Sequence, residues 1–145
     1  MQLVYSLSTV TNAAQQVYDA YKDYRVWTFP SAMGSGKTTF IATLCKQILA
    51  CADAVSSPTY SIINVYQSPT AGSVCHLDWY RLKDEQEAID AGVEDALYTY
   101  PLCLVEWPSI VPQLLPPTYV EINIEFISET ERLLKVQTVH TPNHL

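Results

Sequence analysis

Apolar positions three and four residues apart from Thr9 to about Tyr21 (Val10, Ala13, Ala14, Val17, Tyr21) predict an amphipathic helix, with Thr9 or Thr11 as its cap. Arg25-Val-Trp-Thr-Phe29 predicts a short strand. Helical spacing returns from Lys37 to Leu49 through Phe40, Ile41, Leu44 and Ile48, so the glycine-bearing Ser31–Gly36 lies between a strand and a helix. Tyr60–Tyr66 and Ser73–Asp78 predict a hairpin turning at Ser68–Gly72. Asp84 with Glu87 opens a short helix that Gly92 stops, and Glu94 to Leu97 adds a further turn. Leu102-Cys-Leu-Val105 is uninterruptedly apolar and ends in Glu106, as expected of a parallel strand covered on both faces. Prolines 108, 112, 116 and 117 leave room for one short helix around Ser109 to Leu114. Val120, Ile122, Ile124 and Phe126 alternate with polar residues, predicting a half-buried strand. Ser128–Glu131 then turns into Leu133–Val139, closing a C-terminal hairpin, and the tail from Thr141 is expected to fray.

At 145 residues, 48% hydrophobic and 16% charged, the chain can bury one real core and is too short for two ordinary domains, so a single domain over residues 1–145 is expected. Its formal net charge of −7 opposes unaided gripping of nucleic acid or anionic lipid across a broad face. No apolar run approaches the roughly 20 residues of a membrane span. Met1–Ser6 lacks a basic region ahead of an apolar block, so a cytoplasmic protein is the expectation. Cys45, Cys51, Cys75 and Cys103 are scattered, without a C-x-x-C pair or metal-ligand spacing to a histidine, and read as buried free thiols.

The strongest chemical signal is Gly34-Ser-Gly36-Lys37-Thr38-Thr39. A phosphate cradle needs backbone N–H groups lining one concavity and glycines where side chains would collide. It also needs a lysine for the outer phosphates and a hydroxyl for Mg²⁺. All are present except the first glycine of G-x-x-x-x-G-K-S/T, where Ser31 stands and a Cβ must be fitted. A magnesium nucleotide site also wants an acidic residue at a strand end, and Glu106 and Asp78 are the candidates. By spacing alone Thr59 reads as a turn residue, Trp107 as packing surface and His76 as a satisfied strand histidine.

Ser31-Ala-Met-Gly-Ser-Gly-Lys-Thr-Thr39, Ser57-Pro-Thr-Tyr60, His76-Leu-Asp-Trp-Tyr-Arg-Leu82, Ala91-Gly-Val93 and Leu104-Val-Glu-Trp-Pro108 follow one another in the order and spacing of a single family. From about Ser8 to Val139 the chain resembles TsaE (YjeE), the ATPase of bacterial tRNA threonylcarbamoyladenosine modification. The resemblance implies an α/β fold: one P-loop NTPase-like domain, with a central mixed β-sheet flanked by helices and a C-terminal β-hairpin. It implies Mg²⁺-dependent ATP binding and hydrolysis, acting with a TsaD-like transferase and a TsaB-like protein that hold the tRNA, with no membrane role. The modified base is the adenosine beside the anticodon, position 37, of ANN-decoding tRNAs.

Carried over by position, the phosphate loop from Met33 through Gly34, Ser35, Gly36, Lys37, Thr38 and Thr39 would hold ATP. Lys37 would take the outer phosphates, Thr38 and Glu106 would serve Mg²⁺, and Asp78 would support the metal or the attacking water. Thr59 would be the switch residue, Trp107 would lie beside the nucleotide, Arg132 would reach it, and Ser8 to Thr11 would flank the base. The family usually reads G-D-L-G-A-G-K-T, so Ser31 and Ala32 here replace a glycine and an aspartate. Two alternatives stand beside this reading: a nucleotide-gated scaffold with little hydrolysis, and a small-molecule P-loop kinase. Arg25, Arg81 and Arg132 are too far apart in sequence to suggest the arginine-rich lid of such a kinase.

Overall fold

The structure, a computed structural model, describes residues 1–52 and 62–141. Seven strands form one sheet: β1 (Gln2–Ser6), β2 (Val26–Phe29), β3 (Ile63–Ser68), β4 (Gly72–Asp78), β5 (Leu102–Glu106), β6 (Thr118–Phe126) and β7 (Glu131–His140). Their order is β1-β7-β6-β2-β5-β4-β3, with β4, β5, β2 and β6 parallel in the centre and antiparallel hairpins at both margins. The helices are α1 (Val10–Tyr21), α2 (Lys37–Thr43), α3 (Glu85–Asp90) and α4 (Val93–Thr99).

The uniformly apolar β5 is buried along its whole length because both sheet faces are covered. Leu102 and Leu104 enter one core with Val17, Phe29, Phe40 and Leu44, beneath α1 and α2. Cys103 and Val105 enter the other with Leu77, Trp79, Ala88 and Leu97, beneath α3 and α4. This alternation sends Glu106 to the same face as Leu104, the α2 face.

Several local expectations are corrected. Thr9 precedes α1 but makes no side-chain cap; its Oγ1 accepts from Ser6 N at 2.8 Å instead. The helix expected from Lys37 to Leu49 is α-helical only to Thr43 and continues as a π-helix over Leu44–Ile48. Prolines divide the expected Ser109–Leu114 helix into two 3-10 turns, Pro108–Ile110 and Pro112–Leu114. Strand β1 has no counterpart among the predicted elements; it pairs antiparallel with β7 through Gln2↔Lys135 and Tyr5↔Arg132. The strand expected over Tyr60–Tyr66 is described only from Ile63, and residues 53–61 and 142–145, with Ser57–Tyr60 and Thr59 among them, lie outside the described residues. All four cysteines are buried free thiols, as their apolar surroundings suggested. Among the described residues no helix is long and apolar enough to cross a membrane.

Candidate functional site

Parallel β2 ends at Phe29, opposite Glu106 of β5, so chain leaving β2 emerges at the carboxyl edge where β5 also ends. Residues 30–36 turn there into α2. Gly34 (φ +78°) and Gly36 (φ +108°) both occupy left-handed backbone that L residues rarely adopt. Ser31, expected only as an obstructive Cβ, serves the loop: its Oγ accepts from Ile124 N at 2.7 Å and ties the loop's first residue to β6. At the loop's far end Arg132 donates through Nε to Ser35 O (3.0 Å) and through Nη1 to Ser128 O (2.7 Å) and Glu131 O (3.0 Å). It also lies over the Phe126 ring. Arg132 therefore clamps the glycine loop to the β6–β7 turn, a contact between residues 97 apart in sequence.

Two cavities adjoin along this loop. One, of about 400 Å³, is lined by Met33, Gly34, Gly36–Thr39, Asp78, Glu106, Trp107 and Arg132, bringing together nearly all the sequence-predicted residues. The other, of about 560 Å³, shares Gly36, Thr39 and Arg132 and is lined also by Tyr5, Ser6, Ser8 and Val10, of which Ser8 and Val10 belong to the Ser8–Thr11 stretch expected to flank a base. Ser35 lies outside both, facing a third cleft beside β6. Tyr5, which no sequence pattern singled out, buries its hydroxyl beside the loop without a hydrogen-bond partner among the described residues. Burial pushes its pKa up to about 12, with Arg132 pulling the other way.

Lys37 is 5% exposed, yet its Nζ has no hydrogen-bond partner among the described residues. It stands 3.8 Å from Glu106 Oε1 and 4.2 Å from the centre of the Trp107 ring. Burial holds the ammonium below the usual lysine range, and the Glu106 and Asp78 carboxylates only partly offset that. Trp107 keeps its place through a left-handed backbone (φ +59°) that follows Glu106 directly, and Tyr80 packs against it with ring centroids 5.0 Å apart. A bulky non-glycine residue in that region is strained, a feature that clusters at functional sites.

Asp78 and Glu106 end neighbouring parallel strands and are register partners. Asp78 accepts from Tyr80 N at 3.0 Å. Its carboxyl is raised above the usual range first by burial and also by Glu106, against the lowering pull of the Tyr80 N–H, His76 and Lys37. Glu106, 3% exposed, takes a 2.7 Å hydrogen bond on Oε2 from His76 Nε2, and His76 Nδ1 lies 3.0 Å from the Tyr66 hydroxyl. His76 is thus satisfied, as a strand histidine should be, but its partner is a site carboxylate.

This arrangement fits a phosphate chain carrying a divalent cation. Lys37 Nζ is buried and without a hydrogen-bond acceptor, the positive-φ Gly34 and Gly36 place no side chain at their turns of the loop, and Thr38 stands on the same cavity. No group of three or more acidic, histidine or cysteine side chains that could cage a metal alone occurs among the described residues. One or two carboxylates plus phosphate oxygens is the donor set that Mg²⁺ takes.

The family model described as threonylcarbamoyl adenosine biosynthesis protein TsaE matches residues 4–134. The tRNA threonylcarbamoyladenosine biosynthesis protein TsaE of Rickettsia prowazekii is 32% identical over 113 residues, covering 78% of this chain and 75% of that protein. The like-named Bacillus subtilis protein is 34% identical over 107 residues, covering 74% of this chain and 65% of that protein. For the Rickettsia conorii protein the values are 33% over 111 residues, 77% and 62%, so the match spans about three fifths of that relative's length. The crystal structure of Bacillus subtilis YdiB superposes with a TM-score of 0.72 over 97% of this chain and 86% of that one, at 24% identity, a likeness of fold. The family model spans residues 4–134 and these relatives are about a third identical over roughly three quarters of the chain; the chain belongs to the TsaE family.

Proposed function

We propose that this chain is the Mg²⁺-dependent ATP-binding and hydrolysing component of tRNA threonylcarbamoyladenosine modification, working in the cytoplasm with a TsaD-like transferase and a TsaB-like protein. The observation that carries the reading is Lys37: a buried ammonium without a hydrogen-bond acceptor, held at the mouth of a glycine loop. Its N–H donors, paired with Glu106 only at 3.8 Å, are available for charge-assisted hydrogen bonds to phosphate oxygens.

Lys37 would bind the outer phosphates, and the loop from Met33 to Thr39 would supply backbone contacts. Thr38 and Glu106 would hold Mg²⁺, which supplies charge neutralisation on the phosphate oxygens when bound. Asp78, exposed more than Glu106 and bonded on one oxygen to Tyr80 N, is suited to orient the attacking water. Trp107 would exclude bulk solvent from Lys37. Arg132, its Nε and Nη1 engaged with backbone carbonyls, would act by holding the loop's shape, adjoining the nucleotide from the side of the second cavity. The net charge of −7 agrees with tRNA being held by the partner proteins. Arg25 is bound to Leu97 O and Tyr100 O, away from this cavity, which weighs against an arginine-lidded kinase.

The test is ATP binding by calorimetry with and without Mg²⁺, followed by phosphate release by the chain alone and with the transferase complex and tRNA. Binding with turnover that appears or rises with the complex is expected. Binding without turnover in every condition would replace hydrolysis with a nucleotide-gated scaffold, and no ATP binding would remove the nucleotide reading altogether.

A further inference from the structure

Tyr66, His76 and Glu106 come from three neighbouring strands, β3, β4 and β5, and form one buried row from the sheet's margin to its centre. His76 is the register partner of Leu104, so His76 and Asp78 face the same side as Leu104 and Glu106, toward α2. Tyr66 and Leu104 belong to the core on that side. The histidine is 1% exposed and Tyr66 is 4% exposed. Each ring nitrogen of His76 is engaged, Nδ1 with the Tyr66 hydroxyl at 3.0 Å and Nε2 with Glu106 Oε2 at 2.7 Å, so the ring cannot turn without breaking a bond.

A glutamate's terminal torsion is broad, and nothing in its own rotamer preference orients the carboxylate plane. Lys37 attracts Oε1 from 3.8 Å but makes no hydrogen bond to it. Among the described residues, the one directional bond to the Glu106 carboxylate is therefore the histidine's. It occupies Oε2 and leaves Oε1 toward Lys37 Nζ, on a residue that lines the same cavity as Thr38.

We propose that His76, braced by Tyr66, is a positioning residue that orients Glu106 to present Oε1 to the divalent cation accompanying the nucleotide. The proposal rests on the nucleotide reading above and adds two residues to it. Histidine and carboxylate exchange their usual places: in many metal sites an outer carboxylate orients a ligating imidazole, whereas here an outer imidazole orients a ligating carboxylate. Simple core packing by the histidine would affect stability without altering the metal-specific part of nucleotide binding.

The test measures Mn²⁺ affinity of the protein–ATP complex by electron paramagnetic resonance, beside ATP affinity without metal by calorimetry. For wild type, His76→Leu, His76→Gln and Tyr66→Phe, folding is checked by circular dichroism. His76→Leu should weaken Mn²⁺ binding about tenfold, the range in which outer-shell partners act, while metal-free ATP affinity stays within about twofold. His76→Gln, which restores an N–H donor, should recover most of the loss. Tyr66→Phe, which removes one oxygen and keeps the ring, should weaken Mn²⁺ by about threefold and remains informative if His76→Leu does not fold. Mn²⁺ affinity equal to wild type in folded Tyr66→Phe or His76→Leu overturns the positioning role. Wild type that binds no Mn²⁺–ATP overturns the nucleotide reading itself, and the wild-type arm alone distinguishes the two failures.

Discussion

Replacing Lys37 with methionine should separate what the site needs from what the fold needs. Nζ lies 3.8 Å from Glu106 Oε1, and at an effective dielectric near 20 Coulomb's law puts that attraction at about 4 kcal/mol. Taken alone, that figure predicts a severely destabilised variant. The direction of the lysine pKa points the other way. It lies below the ordinary value with burial as the larger cause, ahead of the pull of Glu106 and Asp78. A lowered lysine pKa means that the folded chain binds the proton less tightly than the unfolded chain does, so desolvation outweighs the ion pair and the ammonium opposes folding at neutral pH. Methionine keeps an apolar stem of similar length, and Glu106 retains its 2.7 Å bond from His76. Lys37→Met should therefore cost less unfolding free energy in urea than the roughly 3–5 kcal/mol typical of removing one partner from a buried ion pair. ATP affinity by calorimetry should nevertheless fall at least about a hundredfold, about 2.7 kcal/mol. Wild type should also gain on the variant as pH rises toward the ordinary lysine value, where the ammonium is lost. A stability loss above about 3 kcal/mol would refute the reasoning, because it would mean that His76 does not compensate the buried Glu106 carboxylate once the ammonium is gone. Unchanged ATP affinity would remove Lys37 from the phosphate site.

Two further outcomes follow from the same geometry. At Gly36→Ala the new Cβ meets only ordinary contacts, Arg132 Nε at 3.6 Å and Tyr5 Oη at 3.7 Å, so the effect comes from φ +108°; urea unfolding should show a loss of about 1–3 kcal/mol, and a loss under about 0.5 kcal/mol would mean that the loop relaxes freely. Asp78 has a folded-state pKa raised by burial and by Glu106, so its stabilising contribution is present below the unfolded value and is lost as pH rises through the folded one. Asp78→Asn should accordingly raise the melting temperature at pH 7, with the gap closing in acid, while Mg²⁺-dependent turnover falls; a lower melting temperature at pH 7 would contradict that sign.

What was legible in the sequence was local. The 3.6-residue spacing of Val10, Ala13, Ala14 and Val17 marks α1, the apolar run of Leu102–Val105 marks the central strand, and Gly34-Ser-Gly36-Lys37-Thr38 marks the phosphate loop, because each records its own environment in adjacent residues. Asp84 caps α3 through a 2.9 Å bond from Glu87 N, as the spacing suggested. The family resemblance added Trp107 to the lysine's surroundings, which periodicity alone assigned to packing.

What only the tertiary structure decided lies between residues distant in the chain. Strand β1 carries too short a pattern to announce itself and exists by pairing with β7. Its Tyr5 then reaches the glycine loop. Ser31 departs from the family pattern, yet it bonds to Ile124 N, 93 residues away, so its consequence depended on where β6 ran. Arg132 was expected to reach the nucleotide, but its nearest partners are the carbonyls that shape the loop. His76 read correctly as a satisfied histidine, while the identity of what satisfies it, Glu106 on one side and Tyr66 on the other, required the order β5-β4-β3. The physical reason is the same in each case. Hydrophobic period and backbone φ preference act over a few residues and are written in the local sequence, whereas a hydrogen bond across strands depends on sheet order and register, which the packing of the whole core selects.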